Sequence, residues 1–218
     1  MKQYDAVFWD LDGTLTDSKP GIINSIKYAL DKMGVPYPVE EELNMFIGPP
    51  LLESYEKYCG LRGDDGWKAL YLYREYFNEK GAFENSVYPG IPEALSRLKA
   101  SGKCLIIATS KPEDFARIIA EHFGLAGYFT YIAGASMDET RTEKVDVIRY
   151  AMEECGLKDP EKIIMVGDRK HDVLGAKALG MDCIGVLYGY GSEEELKEAG
   201  AAALVRTPGE AADYILHS

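Results

Sequence analysis

Cysteine and histidine are scarce in this chain, and neither is spaced to hold zinc. Cys59, Cys104, Cys155 and Cys183 lie far apart with no C-x-x-C pair, so they read as reduced, mostly buried thiols. His122, His171 and His217 also lack metal-ligand spacing. Basic residues are in deficit, 24 Lys and Arg against 36 Asp and Glu, for a net charge of −12. That balance repels polyphosphate backbones and anionic lipid and argues against nucleic-acid and membrane partners. No apolar run is long enough to cross a bilayer, and Asp5 interrupts any signal-peptide core in "MKQYDAVFWD". The expectation is a cytoplasmic protein. Internal repeats and low-complexity segments are absent too. What remains is globular: 46% hydrophobic and 28% charged residues in a chain of 218, enough for one core with a smaller insertion.

The pattern alternates strand and helix. "YDAVFWD" (4–10) is a short apolar run of strand formers. Residues 19–33 place Ile22, Ile23, Ile26, Ala29, Leu30 and Met33 on one helical face, with Gly34 as the stop. Helices continue over 40–80, broken by turns at "GPP" (48–50) and "GLRGDDG" (60–66). From residue 87 onward, strands at 103–110, 128–134, 162–168, 181–189 and 202–205 alternate with helices that mostly stop at glycines. The first of these helices after strand 103–110 is expected to start at Pro112. Repeated β-then-α units argue for a parallel sheet with helices on both faces. The expected fold is therefore α/β, a Rossmann-like parallel sheet core (1–15 and 85–218) carrying an inserted all-helical unit (16–84).

In such sheets ligands bind beyond the carboxyl ends of the strands. Four of those ends carry polar residues: Asp10 and Asp12 after the first strand; Thr109, Ser110 and Lys111 after the second; Lys144 at a helix start after the third; Asp168 and Asp172 after the fourth. Taken singly, each has a plain alternative. Asp12-Gly13 suits a turn, Thr109 and Ser110 suit a helix cap, Lys144 a solvated surface, and Asp168 with Asp172 a helix first turn. One site accounts for all four together. The chemistry that needs this set is phosphoryl transfer through an aspartyl phosphate. Clustered carboxylates require a hard cation, Mg²⁺, before they accept a phosphate dianion. Lysine, Thr109 and helix N-terminal amides would contact the phosphoryl oxygens. Asp12, two residues beyond Asp10, is placed to exchange protons with the leaving group and water.

These residues, in the order "DLDGT", "ATSK", Lys144 and "GDRKHD", resemble the haloacid dehalogenase-like phosphohydrolases along essentially the whole chain. The resemblance implies Asp10 as nucleophile, Asp12 as acid/base, and Thr109, Ser110 and Lys144 as phosphate contacts. It also implies Mg²⁺ held by Asp10, the Asp12 carbonyl and Asp168, with Asp172 in or near the shell behind them. Val145 stands where many relatives have proline, and Arg141 is a nearby competitor for the Lys144 role. An aspartate at position 12 is the version found in the family's phosphatases and phosphomutases. The insertion resembles the family's C1 cap.

Within the family the closest resemblance is to phosphoglycolate phosphatases, on "SKP" after Thr109, and to bacterial 5′-nucleotidases, on "FIGPPLLESY" (46–55) and "GVLYGYG" (185–191). Phe46, Ile47, Gly48, Pro49 and Lys111 are the candidate specificity residues. Aromatic residues over 64–79 suit either helix packing or nucleobase stacking. The expected activity is Mg²⁺-dependent hydrolysis of a small phosphorylated metabolite, phosphoglycolate-like or nucleoside 5′-monophosphate. A sugar phosphomutase and a non-enzymatic phospho-acceptor domain are the alternatives.

Overall fold

Ala6–Trp9 (β1) is buried at all four positions, which is why its sequence is apolar on both faces instead of alternating. In the computed structural model, which describes residues 2–218, the chain leaves this strand through Thr16–Asp17 (β2) and enters four helices. These are Lys19–Met33 (α1), Glu40–Asn44 (α2), Leu51–Cys59 (α3) and Asp64–Tyr76 (α4), and the chain returns through Ser86–Val87 (β3). Residues Asp17–Ser86 make one compact unit; the residues up to Thr16 together with Val87–Ser218 make the other. In α1 the buried positions Ile22, Ile26, Ala29 and Leu30 form one stripe, and the helix ends at Gly34 with φ +66°. The α-helical geometry of α4 ends at Tyr76. It gives way to a π-helical turn over Phe77–Gly81.

The second unit continues with Ile91–Ala100 (α5), Cys104–Pro112 (β4), Glu113–His122 (α6), Tyr131–Ala135 (β5), Lys144–Glu154 (α7), Ile163–Gly167 (β6), Lys170–Ala178 (α8), Asp182–Val186 (β7), Glu193–Ala199 (α9), Ala203–Val205 (β8) and Pro208–His217 (α10). Six of the strands form one sheet in the order β5-β4-β1-β6-β7-β8, every neighbouring pair parallel. Helices flank it: Ala6 and Phe8 of β1 share a cluster with Val147 and Ile148 of α7, Val173 and Ala176 of α8, and Leu196 of α9. Val7 and Trp9 point to the other face. Because successive strands run outward from β1 in one direction and from β6 in the other, the order reverses between β1 and β6. Ligand crevices form at such a point.

One strand departs from its sequence reading. β4 runs through Ser110 and Lys111 to Pro112, and α6 begins at Glu113. Thr109 and Ser110 are therefore strand residues, and the helix does not start at Pro112. Ala108 pairs with Ala133 while Pro112 pairs with Ala135, so four steps on β4 match two on β5. The surplus bulges out of the ladder.

Gly21 in α1 offers a test of the helical unit. Alanine there gains about 1 kcal/mol of helix propensity, yet its Cβ would sit 1.9 Å from the Gly81 carbonyl oxygen. Backbone must shift to admit it, at a cost of about 1–3 kcal/mol or more. Gly21→Ala is expected to lower the urea midpoint; a raised midpoint would show that propensity decides this position.

Candidate active site

Asp10 N–H donates to the Val166 carbonyl at 2.9 Å, extending the β1–β6 ladder one residue and leaving the Asp10 side chain at the carboxyl end of the central strand. The chain then turns tightly. The N–H groups of Thr14, Leu15 and Thr16 converge on the Leu11 carbonyl at 3.3, 2.9 and 3.0 Å, and Gly13 N–H reaches the Thr16 carbonyl at 2.8 Å. Gly13 has φ +82°, and a Cβ there would lie 2.3 Å from Asp168 Oδ2. Backbone conformation and the nearness of a second aspartate both demand glycine.

Lys144, the first residue of α7, brings the separate strand ends together. Its ammonium is 2.8 Å from Asp10 Oδ1 and 2.8 Å from Asp172 Oδ1, and it donates to the Ala108 carbonyl at 3.1 Å. The two carboxylate contacts are charge contacts; the aligned hydrogen bond goes to Ala108. Burial opposes the charge on Lys144, but Asp10 and Asp172 outweigh it and hold the ammonium above its ordinary range. Asp172 Oδ2 accepts from Arg169 N–H at 3.1 Å, so both its oxygens are engaged within the protein. Its neighbour Gly167 carries no Cβ because one would lie 2.2 Å from Asp172 Cγ. Arg141, the competitor for the Lys144 position, is occupied elsewhere. Its guanidinium lies 3.7 Å from the Tyr150 ring centroid and its Nε donates to the Gly134 carbonyl at 3.0 Å.

Asp168 is fully buried. It accepts Thr14 Oγ1–H on Oδ1 at 3.3 Å and Tyr190 N–H on Oδ2 at 2.7 Å. Burial first, then the charges of Asp172 and Asp10, push its carboxyl well above the ordinary range, against the pull of the Tyr190 N–H. Carboxylate oxygens of Asp10, Asp168 and Asp172 all lie within 4.8 Å of one another. All three donors are hard oxygens with no nitrogen or sulfur among them, which suits Mg²⁺ and not a soft metal. A bound cation would oppose the upward push on Asp168 by favouring the ionised carboxylate. Asp172 differs from the other two in being paired with the Lys144 ammonium on one oxygen and with the Arg169 N–H on the other.

Thr109 is buried and its Oγ1 accepts from Lys111 N–H at 3.2 Å, so its O–H remains a donor. Ser110 beside it is part-exposed. Lys111 Nζ is 3.0 Å from Asp12 Oδ2. In the helical unit, Phe46 and Ile47 are buried. Phe46 packs on Tyr55 and Tyr58 with centroids at 5.3 and 5.5 Å. Gly48 is exposed and Pro49 part-exposed. Of the aromatic positions over 64–79, Tyr73 and Phe77 are core, beside the buried Leu70, whereas Trp67 and Tyr71 are exposed.

Several contributors were not picked out from the sequence as site residues. Thr14 and Tyr190 both bond Asp168. A Cβ at Gly189 would stand 2.3 Å from Asp168 Cβ, and one at Gly191 would stand 1.9 Å from the Asp168 carbonyl oxygen. Residues 188–191, "YGYG", thus wrap the aspartate closely. Alternating glycines just past a strand end were the available signal.

A sequence profile described as "Haloacid dehalogenase-like hydrolase" matches residues 7–186. The chain belongs to that family. It is 46% identical over 195 residues to a Pseudomonas aeruginosa protein named 5′-nucleotidase, covering 89% of this chain and 88% of that one. With a Mycobacterium tuberculosis protein named tyrosine-protein kinase PtkA it shares 43% identity over 185 residues, 85% of this chain and 62% of that one. A Vibrio parahaemolyticus phosphoglycolate phosphatase is 30% identical, with 90% of each chain covered. The crystal structure of a predicted phosphatase from Clostridium acetobutylicum superposes with a TM-score of 0.94 at 47% identity, covering 99% of this chain and 100% of that one. The protein is an enzyme of the phosphoric monoester hydrolase class. Among the described residues no helix is long and apolar enough to cross a membrane.

The acidic cluster makes a prediction that needs no substrate. Mg²⁺ is expected to raise the melting temperature of the wild type, with stabilisation of about 2.7 kcal/mol when the ion is at a hundred times its dissociation constant. Asp168→Asn should fold and lose that shift. An undiminished shift in Asp168→Asn would place the ion elsewhere.

Proposed function

We propose that the enzyme hydrolyses a small phosphate monoester through an aspartyl phosphate on Asp10, with Asp12 as the proton donor and acceptor. The observation that carries this reading is the buried cluster in which Lys144 bridges Asp10 and Asp172 at 2.8 Å while Asp168 stands within 4.8 Å of both acids. A nucleophile in such a setting has its counter-charge built in. Asp10, the Asp12 carbonyl and Asp168 would hold Mg²⁺, which when bound supplies positive charge against the phosphate dianion and the clustered acids.

The residues then divide the work. An Asp10 carboxylate oxygen attacks phosphorus as the ester P–O bond breaks, and Asp12 gives its proton to the departing oxygen. Lys144 and the Thr109 O–H contact the phosphoryl oxygens, with Ser110 beside them. Asp12 then takes a proton from water as that water attacks the aspartyl phosphate. Inorganic phosphate leaves and the Asp10 carboxylate is restored.

For substrate, a nucleoside 5′-monophosphate is the favoured class, supported by 46% identity along nearly the full length of a protein named 5′-nucleotidase. Phosphoglycolate is the second reading, supported at 30% identity. In the helical unit, the Gly48-Pro49 bend, exposed at Gly48 and part-exposed at Pro49, and the exposed rings of Trp67 and Tyr71 are the groups we assign to leaving-group selection. Phe46 and Ile47 shape that unit from inside. A phosphomutase would share the core, but it would release phosphate slowly and respond to a bisphosphate. A phospho-acceptor domain has no use for an acid at position 12.

Phosphate release with Mg²⁺ from nucleoside 5′-monophosphates, phosphoglycolate, sugar phosphates and p-nitrophenyl phosphate tests this. The wild type is expected to turn over nucleotides fastest. Asp10→Asn should release no phosphate above background, and Asp12→Asn should lose about 10²- to 10⁴-fold. Hydrolysis that survives Asp10→Asn would remove the aspartyl phosphate from the mechanism.

A further inference from the structure

Asp12 is held by one of its two oxygens. The Lys111 ammonium lies 3.0 Å from Asp12 Oδ2, with side-chain exposures of 5% for the lysine and 13% for the aspartate. Asp12 Oδ1 is buried and has no hydrogen-bond partner in the protein. A buried acceptor left unpaired is costly, and it marks the atom at which a ligand group is to arrive.

Lys111 is delivered to this position by backbone design. The bulge between Ala108 and Pro112 turns the end of β4 out of its regular alternation, the known effect of such insertions beside active sites. Gly134 on the neighbouring strand makes room: a Cβ there would meet the Lys111 carbonyl oxygen at 2.6 Å and Glu113 Cα at 2.5 Å. Thr109 Oγ1 accepts the Lys111 N–H at 3.2 Å, and Glu113 Oε2 accepts the Gly134 N–H at 3.3 Å. A flexible surface lysine needs none of these restraints.

We propose that Lys111 is the positioning residue of Asp12, its ammonium fixing Oδ2 so that Oδ1 is the oxygen that exchanges protons. The inference rests on the acid/base reading of Asp12 given above. In ester cleavage the Oδ1 proton passes to the ester oxygen as its bond to phosphorus breaks and the Asp10–phosphorus bond forms. In hydrolysis Oδ1 takes a proton from the attacking water, phosphate departs, and the Asp10 carboxylate is regenerated. Lys111 gives up no proton in either step and acts through Asp12.

Kinetics of Lys111→Met, Lys111→Arg, Asp12→Asn and the Lys111→Met/Asp12→Asn double variant test the assignment. Lys111→Met should lower kcat by about 10- to 100-fold, part of the acid–base contribution, with KM little changed, and Lys111→Arg should restore much of it. The loss in kcat/KM should be larger for an alkyl phosphate than for p-nitrophenyl phosphate, whose leaving group departs without a proton. On the Asp12→Asn background, Lys111→Met should cost nothing further. A raised KM with kcat intact would make Lys111 an anion anchor and overturn the proposal. So would equal losses on both esters, or a full additional loss in the double variant. These outcomes leave the phosphatase reading standing, because that reading fails only if the wild type hydrolyses no ester. In that event denaturant unfolding of the same four proteins still decides the pairing: the Asp12→Asn change should suppress the destabilisation caused by Lys111→Met, and independent effects would refute it.

Discussion

The structure depends on keeping like charges together in a buried place. Asp10, Asp168 and Asp172 have oxygens within 4.8 Å of one another, and two unit charges at that range repel by about 3.5 kcal/mol at an effective dielectric of 20. Nothing in an apolar sheet tolerates that unaided. The cost is offset by Lys144, whose ammonium meets two of the acids, and by the Thr14 hydroxyl and Tyr190 amide on the third. Lys144 itself stays charged in a fully buried position only because those acids are there. Removing either side leaves an unpaired buried charge, which is worse than removing both.

Bringing four strand ends so close also sets a steric condition. Gly13 lets Asp168 approach the backbone of another segment, and Gly167 lets Asp172 fold back on its own strand end, at distances that no Cβ would allow. Such glycines are choices about distance before they are choices about flexibility. Gly13 connects the identity of a residue at one strand end to the position of a carboxylate supplied by another, and Gly167 does so within its own strand end.

Much of this was legible in the sequence, and for physical reasons. A strand buried on both faces must be apolar throughout, so β1 showed itself in "AVFW". Glycine at a helix end signals a left-handed residue, and Gly34 has one. The four polar strand ends could be listed because parallel sheets bind ligands on one side. What escaped notice lies where residue letters carry little: a backbone N–H has no letter, so Tyr190 as a donor to Asp168 was hidden. The bulge in β4 was hidden too, since it depends on Gly134 in another strand. The strand therefore read as ending at Ser110 with a helix from Pro112, when it runs on through Lys111 to Pro112. The turn at Phe77–Gly81 is likewise set by packing beside α1 and not by its own periodicity.

Two lysines hold two aspartates of one site, to which the proposed mechanism gives different tasks. Each binds one oxygen of its aspartate: Lys144 takes Asp10 Oδ1 and Lys111 takes Asp12 Oδ2. In the mechanism we propose, the other oxygen of each is the one that would make a bond, to phosphorus in one case and to a proton in the other. The supports differ as the tasks do. Lys144 is shared with Asp172 and the Ala108 carbonyl, so Asp10 belongs to a buried charge network that joins several strand ends. Lys111 comes from a bulge at the end of a strand and meets an aspartate inside a tight turn. A nucleophile has to stay in place for both displacements. An acid/base has to meet an ester oxygen first and a water later, and a hold on one oxygen leaves the other free to serve both.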